Sequence, residues 1–246
     1  MIAKFGLTNR RQFLCQVSAA GLAASLLSRG TLAADAPAVA VKVAVLTGGH
    51  AYDGPNFEKL FRSLSGIQAT IQTMEAFFAL SAAQRDAYDV LLFYHMLMPT
   101  PTGPAKEALE HLGSTEQGLL VLHHALLAYP QWPVWSEIVG IADRKFGYYH
   151  DQQLHVNVTS VRHPITQGLK AWDMIDESYT MADAGQGSEI LLTTDHPQSM
   201  KTIGWTRQYK KSRVFCFESG HDNQTWVSPD FREVLRSGLL WCARIL

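Results

Sequence analysis

The sequence is poor in charge and in cysteine, and it lacks the signature motifs of several common α/β enzymes. Only 17% of its 246 residues are charged, and the formal net charge is −1. No basic run or basic helix face stands out, so the electrostatic footprint of a nucleic-acid binder is missing. No Gly-Lys-Ser/Thr follows a glycine-rich turn, and no full dinucleotide fingerprint occurs, which removes the usual nucleotide-phosphate cradles. No Gly-x-Ser-x-Gly occurs either, so serine acyl-enzyme chemistry is disfavoured. Of the three cysteines, Cys15 lies near the N-terminus, and Cys216 and Cys242 lie in apolar segments, where buried free thiols are the default. A Cys216–Cys242 disulfide stays open at this level.

Long apolar runs are absent too. The stretch from Cys15 to Leu27 is too short and too alanine-rich to span a bilayer. It follows Thr8-Asn9-Arg10-Arg11-Gln12-Phe13-Leu14 and precedes the small residues Ala33 and Ala34. That order is a twin-arginine export signal over residues 1–34. Cys15 lacks the small preceding residue of a lipoprotein cleavage site, so no lipid anchor is expected. The mature protein is expected in the periplasm or outside the cell. Residues 38–246, roughly 210, fit one α/β domain with a full core.

What the chain does have is strand-like apolar segments that run into histidine. Val41–Leu46 leads to Thr47-Gly48-Gly49-His50, and Val90–Tyr94 leads to His95. Leu119–Leu122 leads to His123-His124, and Val214–Phe217 leads to Glu218-Ser219-Gly220-His221. In an open parallel sheet, ligands bind beyond the carboxyl ends of the strands. These histidines are therefore expected to converge on one cleft, where imidazole can carry protons or ligate metal.

The rest of the pattern supports such a sheet. In the first half, strands alternate with helices at about 56–64, 81–85 and 103–112, which argues for βαβ units. The second half reads as strands at 154–160, 189–193, 200–205 and 213–217, closed by a helix over 229–245. The expected fold is a flavodoxin-like, doubly wound, mainly parallel sheet with a β-rich extension in the second half.

Leu122-His123-His124-Ala125 stands where a nucleophile elbow would stand, with histidine in place of Ser or Cys. Neighbouring side chains at a strand end point opposite ways, which favours His124 for the cleft. Tyr129, Trp132 and Trp135 either pack the core or form an aromatic wall for a sugar ring. Asp176-Glu177 supplies carboxylates for a base or a metal.

Leu46-Thr47-Gly48-Gly49-His50, Gly118–Ala125, His163-Pro164-Ile165-Thr166, Asp176-Glu177-Ser178-Tyr179, Leu191–Pro197, and Arg213-Val214-Phe215 with Gly220-His221-Asp222 occur in this order. Together they resemble the ThuA-like (trehalose utilisation) family, over essentially the whole mature chain. The resemblance implies a fold like class I glutamine amidotransferases, without their catalytic cysteine. It also implies work on sugars, through 3-keto-glycosides made by partner dehydrogenases.

The expected catalytic residues are His50, His124, Glu177 and His221. Tyr52, Asp53, His95, His123, Trp132 and Asp222 are the expected substrate contacts. If a divalent metal such as Zn2+ is bound, His124, Glu177 and His221 are the expected ligands, leaving His50 for acid/base work. A non-catalytic sugar-binding protein on the same fold is the alternative.

Overall fold

The apolar segments that run into histidine become adjacent parallel strands. In the computed structural model, which describes residues 40–246, β1 (Val41–Gly48), β3 (Val90–His95), β4 (Gly118–Leu122) and β9 (Ser212–Phe217) lie side by side. β2 (Ile67–Thr73) adds to the outer side of β1. All these pairings are parallel. The order β2-β1-β3-β4-β9 is that of a flavodoxin-like sheet, with β9 in the fifth place. The export signal expected over residues 1–34 lies outside the described residues.

Both faces of β1, β3, β4 and β9 are covered, which explains their apolar runs, whereas the edge strand β2 stays part-exposed. Val43, Val45, Leu92 and Leu120 pack with Phe57 and Leu60 of α1 (Gly54–Arg62) and Phe231, Val234 and Leu235 of α7 (Pro229–Cys242). Ala44, Leu46, Leu91 and Phe93 pack with Met74 and Phe77 of α2 (Met74–Ala79) on the other face. Leu109 of α4 (Gly103–Glu110) and Trp135 of α5 (Pro133–Val139) complete that layer. Each fully buried Val, Leu or Phe contributes roughly 1.5–3 kcal/mol. α7 starts at Pro229, with the Ser228 hydroxyl accepting from the Phe231 N–H. Proline suits that first position, because its missing N–H is not needed there.

The β-rich extension is antiparallel. β9 pairs with β8 (Thr202–Tyr209), β8 with β7 (Ser188–Thr193), and β7 with β5 (Gly147–Val158). The full order is β2-β1-β3-β4-β9-β8-β7-β5-β6. β6 (Trp172–Thr180) showed in the sequence only as a strand-like run ahead of Asp176-Glu177, and the first half of β5 was not expected. The register of β5 against β7 holds only Asn157 and Val158, while Gly147–Val156 pairs with β6 as a two-stranded ribbon.

Cys216 and Cys242 are free and fully buried. Burial pushes both thiols up, Cys242 to about 12, so neither is a ready nucleophile. Among the described residues no helix is long and apolar enough to cross a membrane.

Candidate active site

Strand ends and one ribbon bring the site together. His50 follows β1 through Gly48 and Gly49, the latter at φ 72°. A Cβ on Gly49 would sit 2.5 Å from the Met96 carbonyl oxygen, so the turn needs glycine. His123 begins a 3-10 turn, His123–Leu127, directly after β4. Its φ of 53° is left-handed, a costly state for a residue with a Cβ. The elbow anticipated from the sequence is therefore present, and histidine occupies it.

The left-handed turn decides which of the two histidines enters the cluster. The His123 Nδ1–H donates to the Glu218 carbonyl at 2.7 Å. A singly protonated ring then carries its lone pair on Nε2. That nitrogen accepts from the Tyr179 hydroxyl at 2.9 Å and stands 3.2 Å from His221 Nδ1. Glu177 Oε1 is 3.4 Å from His123 Nε2 and 3.6 Å from His221 Nδ1. The compact His/Glu/His triad is thus His123, Glu177 and His221. His124, the ligand chosen from sequence, instead lies between His50, at a ring distance of 4.5 Å, and Tyr94, at 4.3 Å. Neither of its ring nitrogens has a hydrogen-bond partner in normal geometry.

Glu177 and Tyr179 share one face of β6, since side chains alternate along a strand. Opposite them, Tyr149 pairs with Ser178 and Gln152 with Asp176, so His150 and Asp151 together face Glu177. This is a β-bulge, a device that re-aims a side chain. It places His150 Nδ1 2.7 Å from Glu177 Oε2. Sequence reasoning missed His150 and Tyr179. The aromatic cluster Gly147-Tyr148-Tyr149-His150 was the signal available for the first of them.

A buried carboxylate fixes the last loop. Asp176 accepts from the Gly220 N–H at 2.8 Å and from the His221 N–H at 3.0 Å. The Gly220 carbonyl in turn accepts from Tyr94 and Trp226. His221 is therefore held by backbone contacts on both sides of Gly220.

The charges in the cluster are coupled. Burial opposes a charge on His123, but the protonated ring would donate from Nε2 to Glu177, and that bond with the charges of Asp176 and Glu177 outweighs burial, so its pKa lies above the usual histidine value. Burial also opposes the Glu177 carboxylate, yet the hydrogen bond and charge of His123, with Tyr179 and His221, hold it at about 2. Burial, and then the charge of His123, lower His221. Burial, and then the charge of Asp176, push the fully buried Glu218 up to about 8.

The other expected residues divide. His50 is exposed, and its Nδ1–H donates to the Ala51 carbonyl at 2.7 Å. Tyr52 packs on Phe57 and Tyr94. Asp53 and Asp222 are N-caps of α1 and of the short helix α6 (Asn223–Trp226). Asp53 also accepts from the Asn223 amide, tying the two loops together.

Two assignments need correction. His95 is wholly buried against Phe93, Tyr129 and Trp135, and Trp132 belongs to the same core layer. Both face packed side chains, so neither offers a surface to a sugar. A cavity of about 610 Å³ lies apart from the histidines, lined in part by Gln131, Arg144, Lys145 and Phe146. The Phe146 ring in its wall stands 5.9 Å from that of Tyr179.

Similar folds occur in known structures. A ThuA-like protein from Parabacteroides merdae ATCC 43184 superposes with a TM-score of 0.68 at 18% identity, over 83% of this chain and 90% of that one. One from Bacteroides uniformis ATCC 8492 gives 0.68 and 18%, over 87% and 95%. A Thermoplasma acidophilum protein described as part of a GMP synthase gives 0.51 and 12%, over 84% and 96%. At such identities the likeness shows the fold, which is that of the glutamine amidotransferases. No curated protein matches the sequence. The sequence model of the ThuA family, described as trehalose utilisation, matches residues 42–242, and the chain belongs to that family.

Proposed function

We propose that this protein is an exported carbohydrate-active enzyme, built on a sheet we read as doubly wound, that cleaves 3-keto-glycosides by elimination. The ketone at C3 acidifies the C2–H bond. His50 takes that proton, and the C–H electron pair forms a C1=C2 double bond. The glycosidic oxygen leaves C1 with its bonding pair and takes the Nε2 proton of His150 in its imidazolium form, whose Nδ1–H stays on Glu177. The products are a free sugar and an unsaturated keto-sugar, with no oxidant or water consumed in this step.

One observation carries the assignment of the base. The His50 Nδ1–H is committed to the Ala51 carbonyl, so Nε2 is the basic nitrogen of an exposed ring that stacks on His124 and stands 6.1 Å from the ring of His221. Neutral imidazole suits proton transfer near pH 7. His150 is half-exposed and oriented by Glu177. Tyr148, 58% exposed with its ring 5.4 Å from that of His150, supplies the open aromatic face that Trp132 does not. The family's sugar-related description supports a sugar as substrate.

The test is incubation of the mature protein with 3-keto-trehalose, following release of free glucose. His50→Gln should lower kcat about 100-fold or more, the usual size of a general-base effect, with an unchanged melting temperature. If wild type binds the keto-sugar without turning it over, the protein is a sugar-binding module and the proposal fails.

A further inference from the structure

We infer that His123 Nε2, His221 Nδ1 and Glu177 Oε1 form a tetrahedral site for one divalent transition metal, with Zn2+ the best-fitting ion. Spacing selects the ion. Ligands about 2.0–2.1 Å from a tetrahedral Zn2+ stand about 3.3 Å from one another. The three atoms are 3.2, 3.4 and 3.6 Å apart. An octahedral ion with such short bonds, as Mg2+ demands, would need neighbours about 2.9 Å apart. Two imidazoles and one carboxylate are also ligands of a transition metal, whereas Mg2+ and Ca2+ take oxygen.

The surroundings match what metal-binding histidines require. The His123 Nδ1–H is anchored on the Glu218 carbonyl, which fixes the tautomer that puts the lone pair on Nε2; a bound ion would replace the Tyr179 hydroxyl as that nitrogen's partner. The second oxygen of Glu177 is held by His150, which fixes the carboxylate in turn. The ligands come from the elbow, the β6 edge and the clamped Gly220-His221 loop, so none depends on a free side-chain rotamer alone. Three protein ligands leave a fourth position open, the pattern of catalytic rather than structural zinc.

The chemical role of the ion, though not its binding, rests on the proposed elimination. Such an ion would hold the C3 ketone oxygen at its open position and polarise the carbonyl, supplying Lewis-acid assistance as His50 removes the C2 proton. The site itself stands on geometry and is tested without substrate.

The mature protein, purified from the exported fraction without chelators, should carry about one equivalent of Zn2+ by elemental mass spectrometry. Removing the ion should lower the melting temperature, and Zn2+ should restore it. Co2+ added to the metal-free protein should give the strong visible absorption of a four-coordinate ion. Glu177→Gln and His221→Asn should each weaken Zn2+ binding at least tenfold, a loss in the range seen for altered metal shells. His124→Asn should leave it intact. His221 is read first because its side chain is 21% exposed and its replacement leaves the core closed. The site is overturned if folded wild type binds neither ion at micromolar concentration, or if both variants bind as wild type does. Metal bound without turnover of 3-keto-trehalose would instead sink the elimination and leave the site standing.

Discussion

At the scale of the residue, the histidines after the strands behave in opposite ways. His123 sits among carboxyl groups, which favour a positive charge on its ring. His95 sits among aromatic rings, and burial alone lowers its pKa to about 3. Its unfolded value is near 6.5. Between those limits the unfolded chain binds one more proton at this position than the folded one. Stability from His95 is therefore complete above about pH 6.5 and drains away as the pH falls toward 3. Replacing it with the neutral His95→Gln should remove one proton from the linkage. The slope of unfolding free energy against pH should then fall by about 1.4 kcal/mol per pH unit between pH 6 and 4. Urea unfolding at several pH values measures this, and an unchanged slope would show that His95 already titrates normally in the fold.

At the scale of the element, the strand-end loops are the machinery and the strands only aim them. The Gly48-Gly49 turn passes so close to the Met96 carbonyl that Gly49→Ala should both strain a left-handed φ and force the backbones apart. A loss of about 1–3 kcal/mol is expected, with the damage to kcat exceeding that of a surface control, because His50 rides on this turn. Differential scanning calorimetry and turnover of the same sample would read both, and wild-type values in each would refute the role given to the turn.

The same contrast explains what could be read from the sequence. β1, β3, β4 and β9 were legible because strands buried on both faces leave unbroken apolar runs. β6 showed only as a strand-like run ahead of Asp176-Glu177, because in Trp172-Asp173-Met174-Ile175-Asp176-Glu177-Ser178-Tyr179 three acidic residues break the apolar pattern. His150 depends on a bulge, and the choice of His123 over His124 depends on one left-handed φ. Neither leaves a periodic trace. The convergence of His50, His123 and His221 was legible from topology, whereas the burial of His95 and Trp132 needed the packed core.

At the scale of the whole molecule, the site is spread across the chain, from His50 to His221. We propose that it is filled and folded before export, consistent with the twin-arginine segment. Changing Arg10 and Arg11 together to Lys should leave full-length precursor in the cytoplasm, detectable by fractionation and immunoblotting. Normal processing of that double variant would remove the export reading.

The position of β9 has a consequence for how the protein is made. This strand lies between β4 and β8 in the middle of the sheet, yet it is supplied by residues 212–217 of 246. A nascent chain lacking them has two half-sheets with open inner edges, and it has neither the Glu218 carbonyl that orients His123 nor His221 itself. Synthesis must pass residue 221 before the His123/Glu177/His221 cluster can be complete. A chain stopped ahead of β9 would lack His221 and would carry unpaired strand edges that invite other strands. On the proposed export route, which takes folded cargo, such fragments would be rejected at the membrane, and the placement of one central strand would then act as a check that synthesis had passed β9.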